Sequence, residues 1–279
     1  MDQGNTESLN PRKGVTRRKP KEEQFPWYDS LWLSSYVIVK EFIQEQYPQK
    51  LAGFVGAFEI FRTNPGFVVK EIQELFTEEQ HTRMRNVIQE LKKNEIEKHE
   101  IFISGRTLIH DHEFLNSLQN LITEKVSEMA GEPVEPCYNF LSLYNNLGVL
   151  RPHMDAPSAK WTVDYCIEQS AEWPIYISKV RPWPDEWGAA DDADWETVIK
   201  NDPENNFTSF ELREGQAILF SGSSQWHYRE RIEQKQKINF CHLVFFHFIP
   251  KGSAQLADPR QWAKLFNIPE LADIILDEA

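Results

Sequence analysis

Cysteine is scarce: Cys137, Cys166 and Cys241 are the only three in 279 residues. An odd number, widely spaced and without a CxxC pair, indicates neither a disulfide framework nor a zinc knuckle, and it suits a reducing, cytoplasmic compartment. Long apolar runs are also missing. Nothing approaches the ~18 consecutive apolar residues of a membrane span, and the charged, proline-containing start lacks the apolar core of a secretory signal. Basic charge is outweighed, with a formal net charge of −13, which argues against a general affinity for nucleic-acid phosphates or anionic lipid. The sequence holds no HExxH, GxSxG, P-loop or dinucleotide-binding glycine pattern, so zinc protease, serine hydrolase, nucleotide hydrolase and dehydrogenase readings lose their usual signatures.

One basic cluster stands apart. Arg12, Lys13, Arg17, Arg18, Lys19 and Lys21 lie in a segment with few large apolar residues and no aromatics between the charges. That pattern predicts a disordered, solvated tail over residues 1–24 rather than a nucleic-acid arm. The remainder, 25–279, reads as one domain, and a chain of this size buries roughly 75% of its unfolded surface without needing a metal.

Within that domain the texture divides into a helical front (25–136), a strand-rich core (137–250) and a helical C-terminal segment (251–279). Thr77 and Gln80 form a capping box ahead of Met84, Val87, Ile88 and Leu91, which recur at helical spacing. Asp111 is the expected N-cap of a second helix, with Phe114, Leu115, Leu118, Leu121, Ile122 and Met129 inside and Gly131 as its stop. From Tyr138 onward, short runs rich in β-branched and aromatic residues predict strands at 138–144, 161–167, 175–180, 209–212, 216–220 and 238–249. Such strands imply an antiparallel barrel or sandwich, an α+β fold overall. The segment 181–208 interrupts them with Trp183, Trp187 and Trp195 among Asp185, Glu186, Asp191, Asp192, Asp194, Glu196, Asp202 and Glu204. A stretch this long reads either as a lid-like insert or as a surface excursion anchored by tryptophans.

The most informative residues are His153, Met154 and Asp155, together with His227 far downstream in Ser224-Gln225-Trp226-His227-Tyr228-Arg229-Glu230. Alternation along a strand puts His153 and Asp155 on one face, where a histidine from another strand can join them around a metal. Two imidazoles and one carboxylate leave open positions, as in non-haem Fe(II) sites. The competing reading makes both histidines polar barrel residues and Asp155 the start of a turn with Ala156 and Pro157. His110-Asp111-His112-Glu113 is denser, but at a predicted helix start it reads as capping. His242 and His247 fall on opposite faces of one strand.

The segments YNNLGVLRPHMD and FELREGQAILFSGSSQWHYRERI resemble the Fe(II)/2-oxoglutarate-dependent dioxygenases, specifically their prolyl-4-hydroxylase-like branch, over roughly 137–250. The resemblance implies a double-stranded β-helix, the jelly-roll or cupin-like barrel, braced by the N-terminal helices. It implies His153, Asp155 and His227 as iron ligands and Tyr144 near 2-oxoglutarate. It further implies an anchor for the cosubstrate's far carboxylate on the strand after the distal histidine, where Lys237 has the spacing although the usual Gly-x-Arg is missing. Arg229 competes for that role, because two residues after His227 it projects to the same face, and its fork holds a carboxylate with two bonds.

The implied cofactors are Fe(II), 2-oxoglutarate and O2, with ascorbate as accessory reductant. The implied reaction oxidises an unactivated C–H bond of a small molecule, amino acid or peptide and releases succinate and CO2. The residue at 155 favours hydroxylation over halogenation, since a halogenating site would have a small residue there; desaturation and cyclisation stay open. The alternatives are a catalytically inactive barrel that binds a ligand or partner, and a cupin-like metalloenzyme that works without 2-oxoglutarate. No nucleic acid or membrane partner is expected, and oligomeric state is open.

Overall fold

Two helices that composition alone left undivided, α1 (Trp32–Gln46) and α2 (Pro48–Ala57), follow the first described residues. Pro48 opens α2, where its missing N–H costs nothing and its fixed φ suits the first turn. The computed structural model describes residues 25–28, 31–183 and 194–274. The predicted tail over 1–24, and Asp185, Glu186, Trp187, Asp191 and Asp192 of the insert, lie outside the described residues.

Strand β1 (Lys70–Ile72), helix α3 (Glu78–Glu90), strand β2 (Arg106–His110) and helix α4 (Glu113–Ala130) complete the front. The expected capping box is present on α3: Gln80 N–H donates to Thr77 Oγ1 at 3.2 Å and Thr77 N–H to Gln80 Oε1 at 2.9 Å. On α4 the cap is His112 rather than the expected Asp111. Its Nδ1 accepts from Phe114 N–H at 3.2 Å, whereas Asp111 sits at φ 49° and its carboxylate accepts from Asn139 N–H at 3.3 Å. Gly131 ends the helix in the left-handed conformation, as predicted. Leu115, Leu118, Ile122 and Val126 form the buried stripe, and Leu121, expected inside, is 62% exposed. Its angular position lies one residue off that stripe.

The core contains β3 (Val134–Tyr144), β4 (Leu150–His153), β5 (Trp161–Gln169), β6 (Ile175–Ile177), β7 (Thr208–Phe210), β8 (Ala217–Phe220), β9 (His227–Arg229) and β10 (Cys241–Pro250). Helix α5 (Trp195–Asn201) lies in the insert, and the short helices α6 (Ala254–Ala257), α7 (Trp262–Leu265) and α8 (Leu271–Ile274) follow the last strand. Two antiparallel sheets result, in the orders β1-β8-β5-β10-β3-β2 and β4-β9-β6-β7. The strands from β3 to β10 therefore pass back and forth between the sheets.

Three apolar clusters hold these layers. Leu115, Leu118, Ile122 and Val126 of α4 and Met84 of α3 pack on Val163, Leu219, Val244 and Phe246 of the larger sheet. Each such side chain, fully buried, contributes roughly 1.5–3 kcal/mol. Buried Gln119 ties α4 to the sheet, donating to the carbonyls of Tyr138 at 3.0 Å and His247 at 2.8 Å. A second cluster joins α1 and α2 to Trp183, Trp226 and Trp262, so Trp183 serves as a buried anchor of the insert. The third, with Tyr144, Trp173, Ile218, Phe220 and Leu243, lies between the sheets.

Candidate metal centre

Strand β4 ends at His153, so Asp155 falls just beyond the strand expected to carry both residues. The alternation survives. Met154 bridges Tyr28, is fully buried and packs in the helical cluster, while His153 and Asp155 line the cavity between the sheets. His227 opens β9 directly opposite His153 in antiparallel register. The two imidazole centroids are 4.1 Å apart, and their Nε2 atoms lie 3.4 Å (His153) and 3.6 Å (His227) from Asp155 Oδ1. The three potential ligand atoms lie within 4.8 Å of one another, and no other His, Cys, Asp or Glu cluster among the described residues achieves this. The histidines at 110 and 112 accordingly do not form a metal cluster.

The surroundings orient each donor. His153 Nδ1 donates to the Arg151 carbonyl at 2.8 Å and His227 Nδ1 to the Gln225 carbonyl at 3.0 Å. With both Nδ1 protons on backbone, the Nε2 lone pairs are left for a cation. Asp155 N–H donates to Gly222 O at 2.9 Å, and Thr162 Oγ1 donates to Asp155 Oδ2 at 3.2 Å. A Cβ at position 222 would collide with Asp155 Oδ2 and with Ala159 O, so the close approach requires glycine. Burial opposes ionisation of Asp155, but His227 and His153 hold its carboxyl well below the usual carboxylate range. A carboxylate oxygen and two imidazole Nε2 atoms gathered within 4.8 Å of one another fit a divalent iron with open positions.

The cavity beside this cluster measures about 450 Å³. Trp27, Tyr28, Tyr138, Phe140, Trp195 and Phe245 give it aromatic walls. Trp195 comes from α5, so the insert contributes one wall. His247, one of the two histidines expected on opposite faces of one strand, also lines it. Its Nδ1 lies 3.1 Å from Thr162 Oγ1, and burial lowers its pKa to about 4.

The expected ligand-anchoring residues are placed differently from one another. Tyr144 is buried, and its hydroxyl accepts from Arg106 Nη1 at 2.9 Å. Arg229 is fully enclosed: Nη2 donates to Asp164 Oδ2 at 2.6 Å, Nη1 donates to the Trp173 carbonyl, and Nε is sealed from solvent. Burial pushes the Asp164 carboxyl up against the pull of Arg229. Lys237, expected on the strand after His227, instead lies exposed in the loop before β10 begins at Cys241. Its stretch, Gln234 to Lys237, lacks the apolar alternation that would extend β10 backwards. The inward residues of β10 near the site are Phe245 and His247.

Sequence reasoning missed Arg106, which lines the cavity with its side chain only 15% exposed. Burial works against its charge, but Tyr144 and Glu100 raise its pKa overall. Its only sequence signal was an arginine opening a short β-branched run, Arg106-Thr107-Leu108-Ile109. Among the described residues no helix is long and apolar enough to cross a membrane.

No protein-family model and no curated protein matches the sequence. Among solved structures, the chain is similar to HygX from Streptomyces hygroscopicus with nickel, 2-oxoglutarate and hygromycin B bound, at TM-score 0.49 and 10% identity over 71% of this chain and 86% of that one. It is similar to the epimerase SnoN in complex with Fe3+, alpha ketoglutarate and nogalamycin RO, at TM-score 0.46 and 12% identity over 73% of this chain and 90% of that one. It is also similar to EctD from S. alaskensis in its apoform, at TM-score 0.48 and 11% identity over 70% and 75% of the two chains.

Proposed function

We propose that the protein is an Fe(II)- and 2-oxoglutarate-dependent oxygenase that hydroxylates or otherwise oxidises an unactivated C–H bond. The observation that carries this reading is the convergence of His153 Nε2, His227 Nε2 and Asp155 Oδ1 on the wall of an aromatic-lined cavity. The passage of β3–β10 back and forth between two sheets supports a double-stranded β-helix, and the YNNLGVLRPHMD segment supports the prolyl-4-hydroxylase-like branch.

His153, Asp155 and His227 would hold the iron. Bound there with 2-oxoglutarate and O2, it supplies oxidative decarboxylation to succinate and CO2, coupled to oxidation of the substrate. The chain's own residues do the positioning. The carbonyls of Arg151 and Gln225 fix both imidazole rings, and Thr162 and Gly222 fix Asp155. Phe220 and Phe245 bring apolar surface to the cluster and exclude water. Tyr138, Phe140, Trp27 and Trp195 offer faces for an apolar ring or chain, and about 450 Å³ suits a small molecule, an amino acid or a short peptide segment.

Anaerobic addition of Fe(II) and then 2-oxoglutarate tests the reading. A weak visible band near ~500 nm is expected from a metal with open positions taking a chelating 2-oxo acid, and Asp155→Ala and His227→Ala should each remove it. A screen of amino acids, peptides and ring-bearing metabolites for stimulated succinate release then identifies the substrate. A protein that takes up neither iron nor 2-oxoglutarate would be the inactive binding barrel instead.

A further inference from the structure

A guanidinium has five N–H donors, and those of Arg106 are only partly used. Nε donates to Glu100 Oε2 at 2.5 Å and Nη1 to the Tyr144 hydroxyl at 2.9 Å. No other protein acceptor takes its remaining donors among the described residues. The side chain is 15% exposed and lines the same cavity as His153, Asp155 and His227. Its other neighbours are the Phe140 and Tyr144 rings, whose centroids lie 5.7 Å and 5.6 Å from its central carbon.

Two other arginines, Arg229 and Arg151, contrast with it. Arg229 is 1% exposed, its Nη atoms are taken by Asp164 and the Trp173 carbonyl, and its Nε is closed off. Arg151 also lines the cavity, but its side chain is 60% exposed and reaches out to Glu196. Among the described residues, Arg106 is therefore the mostly buried cation with donors left over at the cavity wall. The backbone pins it there: Asn145 N–H donates to Gly105 O at 2.9 Å and Val149 N–H to Ser104 O at 3.1 Å. A Cβ on Gly105 would strike the Leu147 backbone.

We propose that Arg106, supported by Tyr144, is the carboxylate-binding residue of this cavity. Resting on the function proposed above, it holds the distal carboxylate of the 2-oxo acid and makes the site select 2-oxo dicarboxylates over 2-oxo monocarboxylates. Glu100 occupies the Nε edge and turns the free Nη donors toward the ligand. The anchor thus comes from β2, a strand outside β3–β10, and neither Arg229 nor Lys237 takes that part.

The test is equilibrium binding of 2-oxoglutarate and of pyruvate to the Fe(II)-loaded protein without oxygen. Pyruvate has the same chelating end and no distal carboxylate. Wild-type protein should prefer 2-oxoglutarate by about 100-fold, a charge-assisted paired contact. Arg106→Gln should abolish the preference by weakening 2-oxoglutarate alone, with Fe(II) affinity unchanged. Arg106→Lys, which keeps the charge and should fold where Gln does not, is expected to retain a reduced preference of about tenfold. An unaltered preference in a folded Arg106 variant overturns the assignment while leaving the oxygenase reading intact. Wild-type protein that binds Fe(II) but not 2-oxoglutarate overturns both.

Discussion

The Thr162 hydroxyl holds the outer oxygen of Asp155, Oγ1 to Oδ2 at 3.2 Å, while the inner oxygen of the same carboxylate faces both imidazoles. Thr162 has one proton, so donation to Asp155 makes its oxygen the acceptor for His247 Nδ1–H at 3.1 Å. A line of hydrogen bonds thereby runs from His247 through Thr162 to the metal-facing carboxylate.

Thr162→Val keeps the shape and deletes the donor. Removing an outer partner of a metal ligand typically lowers affinity 10–100-fold, so Fe(II) or Ni(II) titration calorimetry should show a loss of about that size. Thr162→Ser should restore most of it, and equal affinities for Thr, Ser and Val would show that the bond does not orient Asp155.

Gly222→Ala forces a methyl against Asp155 Oδ2, Thr162 Oγ1 and the Ala159 carbonyl, and the last of these is backbone that cannot swing aside. Overpacking of this kind costs about 1–3 kcal/mol. Urea denaturation should register that loss, and metal affinity should fall with it because the displaced group is one of the proposed ligands. A variant with wild-type stability and metal affinity would place the 222 backbone farther from Asp155 than described.

His247 makes stability depend on pH in a stated direction. Its folded pKa, about 4, lies below the unfolded histidine value near 6.5; burial lowers it first of all, Asp155 pulls upward, and His227 and His110 push downward. As pH falls from about 6.5 to 4, the unfolded chain binds the proton that the folded chain refuses. Stability is therefore complete above the upper value and is lost through that window, by about 3 kcal/mol. In metal-free protein, His247→Asn should shrink the difference between urea midpoints at pH 7 and pH 4.5; an unchanged difference would assign the acid sensitivity elsewhere.

Arg229→Met strands Asp164, which is 0% exposed and has its other oxygen unpartnered. Breaking a buried pair from one side costs about 3–5 kcal/mol. The double variant Arg229→Met, Asp164→Leu should recover most of that loss, since no uncompensated carboxylate remains. If the single variant instead kept its stability and lost 2-oxoglutarate binding, Arg229 would be a ligand residue and not an internal brace.

The sequence was most legible where geometry is local. The Thr77–Gln80 box, the Gly131 stop and the His153/Asp155 alternation each depend on a few neighbouring residues, and each is seen in the structure. His227 was legible because a third donor was needed and the β8 run, a glycine turn and a short strand led to it. What was not legible depends on partners remote in sequence. Asp111 loses its cap role because Asn139 claims its carboxylate. Arg229 follows His227 at the correct spacing, yet Asp164 and the Trp173 carbonyl absorb it. Arg106 sits on a strand whose place beside β3 nothing local announces.

The last strand of the core, β10, lies in the middle of its sheet and pairs with β3 on one side and β5 on the other. During synthesis β3 and β5 therefore leave the ribosome with no shared neighbour, and that sheet cannot close until Pro250 has been added. A chain that lacks β10 leaves β3 and β5 each with an unpaired edge, the kind of exposed edge that invites pairing with other chains.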